Sequence, residues 1–305
     1  MLSRVADSLY WMSRYFERAD NCARVIDATH SLMLNRSVVG PDERWVRALT
    51  CLGMPPDGYD DDPEAAIARL AVDPGNRSSI VACVTAAREN ASQVREEISS
   101  EMWEQLNRLY HDVLRSEPDA MRLVASVREG AYSFYGVTET TMSHGEGWRF
   151  VQLGKFTERA CAVSLLLDAY FSGTTQADDL DWIALLASCA AFDSYCKVFT
   201  ADLQPNRIAT FLLVHPEFPY SVRYSVERMH ASLEAITGQS PTRHRVRIER
   251  VIGRLRASLA YTPVSELLAG DFHMFLHGVL EQCRALHAAV HEAYIDYPIE
   301  VAFQS

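Results

Sequence analysis

The sequence contains little lysine and no excess of positive charge, which restricts the partners it can have. Only two lysines, Lys155 and Lys197, stand against 27 arginines in 305 residues, and the formal net charge is -11. Sequence-independent binding to nucleic acid needs clustered basic residues, so we expect no nucleic-acid partner. The Arg-rich segment 242–256 is interpreted as a solvated helix face.

The sequence also lacks segments typical of membrane insertion and secretion. Its longest strongly apolar stretch, WIALLASCAAF at 182–192, is shorter than the about 20 residues that span a bilayer. Charged residues interrupt the first 17 positions, which argues against a secretory signal. The seven cysteines include no C-x-x-C pair, which is typical of reduced thiols. We therefore predict a cytoplasmic protein without a membrane partner.

No linear motif for catalysis or cofactor binding is found. The sequence has no phosphate-binding loop, no dinucleotide fingerprint and no Ser-His-Asp order. The acidic segment DGYDDDP at 57–63 lacks the ligand spacing of a calcium loop. Near the end of the chain lies a polar stripe formed by His273, His277, Glu281, Arg284, His287 and His291. Histidines four residues apart can ligate a metal, but Arg284 would repel a cation, so we predict neither a metal nor a cofactor.

What the sequence does contain is helical periodicity along most of its length. Apolar residues spaced three and four apart open the chain, namely Leu2, Val5, Leu9, Met12, Phe16, Ala19, Ala23 and Ile26. Similar periods predict helices over 78–99, 100–116, 119–141 and 264–297, with a short helix inside the turn-rich segment 40–66. No convincing period-two strand pattern is present. The sequence therefore predicts an all-α fold.

Two stretches containing Glu-Arg-Ala indicate an internal repeat. At a constant offset of 141 residues, Glu17 and Arg18 align with Glu158 and Arg159. The alignment includes the preceding basic residue, because Arg14 aligns with Lys155. We interpret the two stretches as symmetry mates that lock two halves of the chain together through ion pairs.

A similar offset continues into later helices and decides the predicted architecture. Ser79 aligns with Ser221 at 142 residues, and each stands at the start of a predicted helix. Two repeats are too few for a solenoid. We predict a helical bundle built from two repeated multi-helix units, about 1–140 and 141–305, packed about a pseudo-twofold axis as the single domain 1–305.

The charged residues of the repeated stretches are the candidate polar site. On a helical wheel Arg14 and Glu17 share a face opposite the apolar stripe, whereas Lys155 and Glu158 have apolar neighbours. We therefore expect Lys155 and Glu158 to be the more buried pair and the better site candidate. An ion pair between packed helices is the simpler alternative.

A second basic pair lies along the flank of another predicted helix. Arg88 and Arg95, seven residues apart, can meet Glu17 or Glu158, bind an anionic ligand, or lock two helices together. The full candidate set comprises Arg14, Glu17, Arg18, Arg88, Glu89, Asn90, Arg95, Lys155, Glu158 and Arg159.

Four stretches resemble the bacterial alpha-E domain family, a helical domain of unknown function. They are MLSRVADSLYWMSRYFERADNCARVIDA, SSIVACVTAARENASQVREEISSEMWEQLN, GEGWRFVQLGKFTERA and LHAAVHEAYIDYPIE. Two positions depart from the family pattern. Ser13 stands where glycine is usual, and segment 194–213 lacks the run of arginines that many members carry after its tyrosine.

The resemblance implies a genetic context rather than a reaction. Members are typically encoded beside, or fused to, a circularly permuted ATP-grasp protein, often together with a transglutaminase-like protease. We therefore expect an accessory, non-catalytic component of ATP-dependent amide or peptide-bond formation that binds the ligase or its acceptor. One alternative is a hydrolase or acyl-acceptor enzyme in which Glu17, Glu158, Arg88 and Arg95 converge between the repeats. A helical dimerisation module, acting as a homodimer, is another.

Overall fold

The computed structural model consists of helices joined by short connections. It describes residues 1–33, 41–55, 62–73, 75–115, 119–172, 177–237 and 243–295. The helices are α1 (Ser3–Met33), α2 (Pro41–Cys51), α3 (Pro63–Ala71), α4 (Ile80–Gln93), α5 (Ser100–Arg115), α6 (Ala120–Thr141), α7 (Glu146–Phe171), α8 (Asp179–Ser188), α9 (Phe192–Phe199), α10 (Pro205–Val214), α11 (Val222–Thr237), α12 (Arg243–Tyr261), α13 (Val264–Ala269) and α14 (Phe272–Tyr294). Within the described ranges there is no strand, and the prediction of an all-α fold is confirmed.

Two long helices, α1 and α7, lie side by side at the centre of the fold. Gly154 of α7 makes the contact close, because a Cβ added there would lie 2.2 Å from Ser13 Oγ and 2.3 Å from the Tyr10 carbonyl oxygen of α1. Only hydrogen fits in such a space. The close approach brings the two Glu-Arg stretches alongside each other.

The helices around α1 and those around α7 have the same order of neighbours. α1 packs against α4 and α6, and α5 contacts both of these helices. In the same way α7 packs against α11 and α14, and α12 contacts both. Buried apolar side chains from all of these helices belong to one continuous core.

Serine side chains begin two of these corresponding helices, α4 and α11. The Ala82 N–H donates to Ser79 Oγ over 3.3 Å, and the Tyr224 N–H donates to Ser221 Oγ over 3.0 Å. Each serine thus satisfies a backbone donor that has no partner inside the helix. The predicted helix starts at these two serines are confirmed.

Other predicted helix limits differ from the structure. The helix predicted over 264–297 is divided into α13 and α14, because Asp271 accepts the Met274 N–H over 2.8 Å and starts a new helix there. Position 297 lies outside the described residues. The helix predicted over 78–99 ends at Gln93, and turns carry the chain to α5.

The turn-rich segment 40–66 contains α2 and the first turn of α3 instead of one short helix. Asp62 starts α3 by accepting the Glu64 N–H over 2.9 Å. The rest of the acidic stretch, 57–61, lies outside the described residues. Sequence periodicity missed the second helix because the acidic stretch 57–63 runs into it and includes its first residue, Pro63.

Each of the seven cysteines is a free thiol, as the absence of C-x-x-C pairs led us to expect. No single helix of the described chain has both the length and the apolar composition needed to cross a membrane. α8 and α9 together satisfy the length and composition, but the two bend by 117° at the break between them.

The contact at Gly154 predicts a large difference between two glycine substitutions. Gly154→Ala should lower the free energy of unfolding by about 1 to 3 kcal/mol or more, because the methyl group meets α1 backbone that cannot move away cheaply. Gly253→Ala in α12, where nothing lies within 4 Å of the added Cβ, should raise it by about 0.5 to 1 kcal/mol. Urea unfolding followed by circular dichroism measures both, and equal effects would contradict the close contact.

Candidate functional site

The two Glu-Arg stretches meet between α1 and α7, and each carboxylate binds an arginine of the other helix. Glu17 accepts from Arg159 Nε at 2.5 Å and from its Nη2 at 2.9 Å. Glu158 accepts from Arg18 Nε at 2.6 Å and from Arg14 Nε at 2.8 Å. We call these contacts the crossed ion pairs, because each Glu-Arg stretch supplies the acid for one pair and the base for the other.

The carboxylate of Glu17 lies in a closed environment. Its side chain is 2% exposed and also accepts a hydrogen bond from the Tyr135 hydroxyl of α6. Burial alone would raise the pKa of Glu17, but the charge and hydrogen bonds of Arg159, with Lys155 and Tyr135, outweigh burial and lower it. Glu17 is therefore ionised, and both of its oxygens are engaged.

The carboxylate of Glu158 is held in the same way by two arginines. Burial would raise its pKa, but the charges and hydrogen bonds of Arg14 and Arg18 lower it below the usual value. The Arg14 side chain is itself 13% exposed and the Arg18 side chain is 28% exposed. Glu158 is thus a fixed anion beside a partly open arginine.

The expected order of burial of the two carboxylates is wrong. Glu158 was expected to be the more buried, yet Glu17 is 2% exposed and Glu158 is 8% exposed. Glu17 is the more enclosed because Tyr135 covers it and the Tyr220 ring lies 4.0 Å from the Arg159 guanidinium. The helical wheel of α7 cannot show these rings, since they come from α6 and from the segment before α11.

Lys155 lies next to the Glu17 pair without a hydrogen bond to it. Its Nζ is 3.8 Å from the centre of the Tyr135 ring, a cation–π contact. Burial, with the nearby charge of Arg159, lowers the pKa of Lys155 to about 8, although Glu17 and Asp20 oppose this shift. Lys155 is accordingly a cation held in surroundings that favour its neutral form.

A further buried ion pair lies on α1, next to the crossed ion pairs. Asp20 lies 2.9 Å from Arg24 and accepts a hydrogen bond from the Tyr220 hydroxyl at 3.2 Å. Burial, together with the negative charge of Glu17, raises the pKa of Asp20 despite Arg24. The spacing of Asp20 and Arg24, four residues apart, was a visible signal of this pair. The contribution of Tyr220 had no such signal.

The second basic pair joins α4 to α5 instead of meeting the crossed ion pairs. Arg88 Nε donates to Asn107 Oδ1 over 2.9 Å, and its guanidinium lies over the Tyr110 ring. Arg95 lies over the Trp103 ring. Within the described residues neither arginine hydrogen-bonds to a carboxylate of the crossed ion pairs, so the convergence that we considered is not observed. These contacts hold α4 and α5 together.

The remaining two candidates, Glu89 and Asn90, also lie away from the crossed ion pairs. Glu89 is exposed to solvent on α4. Asn90 donates to the Ala86 carbonyl oxygen of the same helix over 2.8 Å. The structure therefore brings together Arg14, Glu17, Arg18, Lys155, Glu158 and Arg159, and it separates Arg88, Glu89, Asn90 and Arg95 from them.

The histidine stripe of α14 is divided among several partners. His287 Nδ1 lies 3.0 Å from the Tyr10 hydroxyl, and His273 Nδ1 lies 2.7 Å from Asp168. Burial and the charge of Arg14 lower the pKa of His287 to about 4, so this ring is neutral near pH 7. Among the residues that the structure describes, no group of three or more His, Cys, Asp or Glu side chains is placed to hold a metal.

Another buried charge cluster lies between α2 and α8, and no sequence pattern predicted it. Arg44 Nε donates to Asp181 over 3.2 Å, and Arg47 lies 3.1 Å from the same carboxylate, which is fully buried. Asp181 also accepts the Asp178 N–H and so completes the cap of α8. This cluster attaches the short helix α2 to the second half of the chain.

Comparison with known proteins gives one family and a few relatives. The family Alpha-E, described as a predicted alpha-helical domain with a conserved ER motif, matches residues 1–295. The chain is 26% identical over 294 residues to the uncharacterized proteins Rv2567 of Mycobacterium tuberculosis and Mb2597 of Mycobacterium bovis. Each match covers 87% of this chain and 33% of the relative, so the chain spans about a third of the length of these curated relatives. No solved structure matches the chain.

The crossed ion pairs predict strong energetic coupling between Glu17 and Arg159. Glu17→Met or Arg159→Met alone should cost about 3 to 5 kcal/mol, because each leaves a buried charge without its partner. The double substitution should cost clearly less than the sum of the two. A double-mutant cycle by urea unfolding measures this coupling.

The exposed pair Glu281 and Arg284 of α14 is the matched control for that cycle. Its side chains are 56% and 65% exposed, so its coupling should stay below about 1 kcal/mol. Equal coupling in the two cycles would show that burial does not strengthen the crossed pair.

The lowered pKa of Lys155 predicts a pH-dependent effect of Lys155→Met. Below pH 8 the folded state must keep a buried charge, so the variant should be more stable than wild type by about 1 to 3 kcal/mol at pH 7. Between about pH 8 and pH 10 the unfolded chain binds more protons at this position. The contribution of Lys155 to stability therefore rises with pH, and the advantage of the variant should shrink.

The only other lysine of the chain provides the control. Lys197 is exposed on α9, so Lys197→Met should differ from wild type by the same small amount at every pH. Urea unfolding of the three proteins from pH 7 to pH 10 makes the comparison. A difference for Lys155→Met that stays constant with pH would contradict the lowered pKa.

Proposed function

Because the chain belongs to the alpha-E family, we propose that it is an accessory, non-catalytic helical component of an ATP-grasp-dependent system that forms amide or peptide bonds. In this proposal the chain binds the circularly permuted ATP-grasp ligase or the acceptor of the ligase. The crossed ion pairs are the observation that carries the non-catalytic part. They engage both carboxylates of the Glu-Arg stretches in holding α1 to α7.

A general acid or base needs a pKa near the operating pH and a position within reach of substrate. The pKa values of Glu17 and Glu158 are both lowered by their arginines, so neither carboxyl group is poised to exchange a proton near pH 7. Glu17 is in addition enclosed on all sides. These features favour a role in holding the helices together and weigh against the enzyme alternative.

The finer architecture is part of the proposal. We infer that α1 to α6 and α7 to α14 are duplicated units related by a pseudo-twofold axis within one domain. Three observations support this inference: the sequence offset of 141 to 142 residues, the matching order of neighbours around α1 and α7, and the exchange of partners in the crossed ion pairs. A twofold axis between α1 and α7 would turn each ion pair into the other.

Two further observations agree with an accessory role. About two thirds of each curated relative lies outside the matched region, which supports a unit that works together with other domains. The seven free thiols suit a reducing compartment. On the basis of these thiols we place the chain and its ligase in the cytoplasm, where ATP is available to the ligase.

The test is to mix the chain with the circularly permuted ATP-grasp ligase that this proposal names as its partner and to measure sedimentation velocity. We expect a complex at micromolar concentrations, and no hydrolysis or amide formation by the chain alone. The absence of a complex would contradict the proposed binding to the ligase. A second copy of this chain in the sedimenting species, without the ligase, would favour the homodimer alternative.

Two glutamate variants distinguish the accessory, non-catalytic role from the enzyme alternative. Glu17→Gln should alter ligase activity only as far as it alters the folded fraction, and Glu281→Gln, exposed on α14, should alter neither. Activity and thermal unfolding are measured on the same samples. Loss of activity in a Glu17→Gln protein that is still folded would overturn the non-catalytic assignment.

A further inference from the structure

A cavity of about 310 Å³ opens beside Glu158, between α1, α7 and α14. Three arginines line it, Arg14, Arg18 and Arg284, against the single lining carboxylate of Glu158, and Arg284 is itself paired with Glu281 outside the lining. The chain as a whole carries a formal charge of -11. An excess of positive charge inside a cavity is therefore a local feature that the composition of the protein does not explain.

The three arginines differ in how many of their donors are already used. Arg14 places Nε and Nη2 within 2.8 Å of Glu158, and its Nη1 lies 3.5 Å from the Tyr10 hydroxyl. Arg18 uses its Nε for Glu158 at 2.6 Å, and its two terminal amino groups have no hydrogen-bond partner within the described chain. Arg18 therefore presents open donors to the cavity while Glu158 fixes its position.

We propose that this cavity binds the carboxylate group of a small molecule or peptide, with Arg18 as the principal donor and Arg284 at the rim. The planar fork of an arginine matches the two oxygens of a carboxylate. Apolar walls formed by Leu52, Leu165 and Leu280 suit the aliphatic carbon chain next to such a group.

The negative charge of Glu158 selects the class of anion. Arg14 and Arg18 together exceed Glu158 by one positive charge, since Arg284 is paired with Glu281, and a single carboxylate neutralises that excess. A phosphate dianion carries more charge than this excess and would leave the cavity with a net negative charge. Because Glu158 already accepts from the Nε of Arg18, the ligand carboxylate would accept from the two terminal amino groups of that guanidinium.

A thiol also forms part of the cavity wall. Cys161 lines the cavity, and its pKa lies below the usual value chiefly because the Cys283 thiol hydrogen-bonds to it, with smaller contributions from Arg14 and Arg284. The proposal rests on the arginines and the shape of the cavity and not on this thiol.

The proposal goes beyond the accessory role and does not depend on it. Amide formation consumes a carboxylate, so a carboxylate site suits a partner of the ligase. Its test nevertheless uses this chain alone, and each proposal can fail while the other stands.

Isothermal titration calorimetry at pH 7 and constant ionic strength provides the test, with the singly charged butyrate as the probe. Butyrate should bind, whereas its neutral analogue butyramide should bind at least about tenfold more weakly, a difference of about 1.4 kcal/mol. Inorganic phosphate should also bind more weakly than butyrate. Equal binding of butyramide would overturn the proposal, and tighter binding of phosphate would overturn the choice of carboxylate.

Three arginine variants locate the site. Arg18→Gln should weaken butyrate binding at least about tenfold and should remain folded, because Glu158 keeps Arg14. Arg284→Gln, at the exposed rim, should weaken binding by a smaller factor. Arg250→Gln, exposed on α12, is the control and should bind as wild type does.

The set of variants can test the proposal even where one of them does not fold. If Arg18→Gln fails to fold, the comparison of Arg284→Gln with Arg250→Gln decides. Wild-type affinity in Arg284→Gln and in a folded Arg18→Gln would show that butyrate binds elsewhere and would overturn the proposal.

Discussion

The structure depends on the crossed ion pairs between α1 and α7. Each pair brings opposite charges into a seam with little access to water, where an unpaired charge is costly. A shift of α7 along α1 by one helical turn would separate Glu17 from Arg159 and Glu158 from Arg18 together. Desolvation offsets much of the attraction, so the pairs contribute less to net stability than to the choice of one register over its neighbours.

The close backbone contact and the crossed ion pairs require each other. Ser13 and Gly154 are related by the same offset of 141 residues as the glutamates, and they face each other across the two helices. The Ser13 hydroxyl turns back to the Tyr10 carbonyl at 2.9 Å and so occupies little of the gap. This explains how a serine is accepted where the family resemblance leads one to expect glycine. A wider separation would lengthen the contacts of the short Glu17 side chain.

Features within one helix were predictable from the sequence, and features between helices were not. The serines that begin α4 and α11 act on the next turn of their own helix, so their role could be inferred from local sequence. The pairing of the two Glu-Arg stretches could be predicted only because the same residues recur in the sequence. The cover over Glu17 comes from Tyr135, more than a hundred positions away, and no periodicity signals it. For the same reason Arg88 was placed on the correct face of α4 without indication that α5 would cover it.

The two crossed pairs share one geometry but differ in access, and this difference decides where ligand chemistry can take place. Around Glu17 the rings of Tyr135 and Tyr220 exclude water, and the carboxylate has no free oxygen to offer. Beside Glu158, a cavity separates part of α14 from α1 and α7, and Arg18 is partly exposed to this cavity. The second pair is therefore the better candidate for function because it is the less enclosed, and not because it is the more buried. If the two pairs arose by duplication, one copy suffices to fix the register, and the surroundings of the other are free to diverge toward binding.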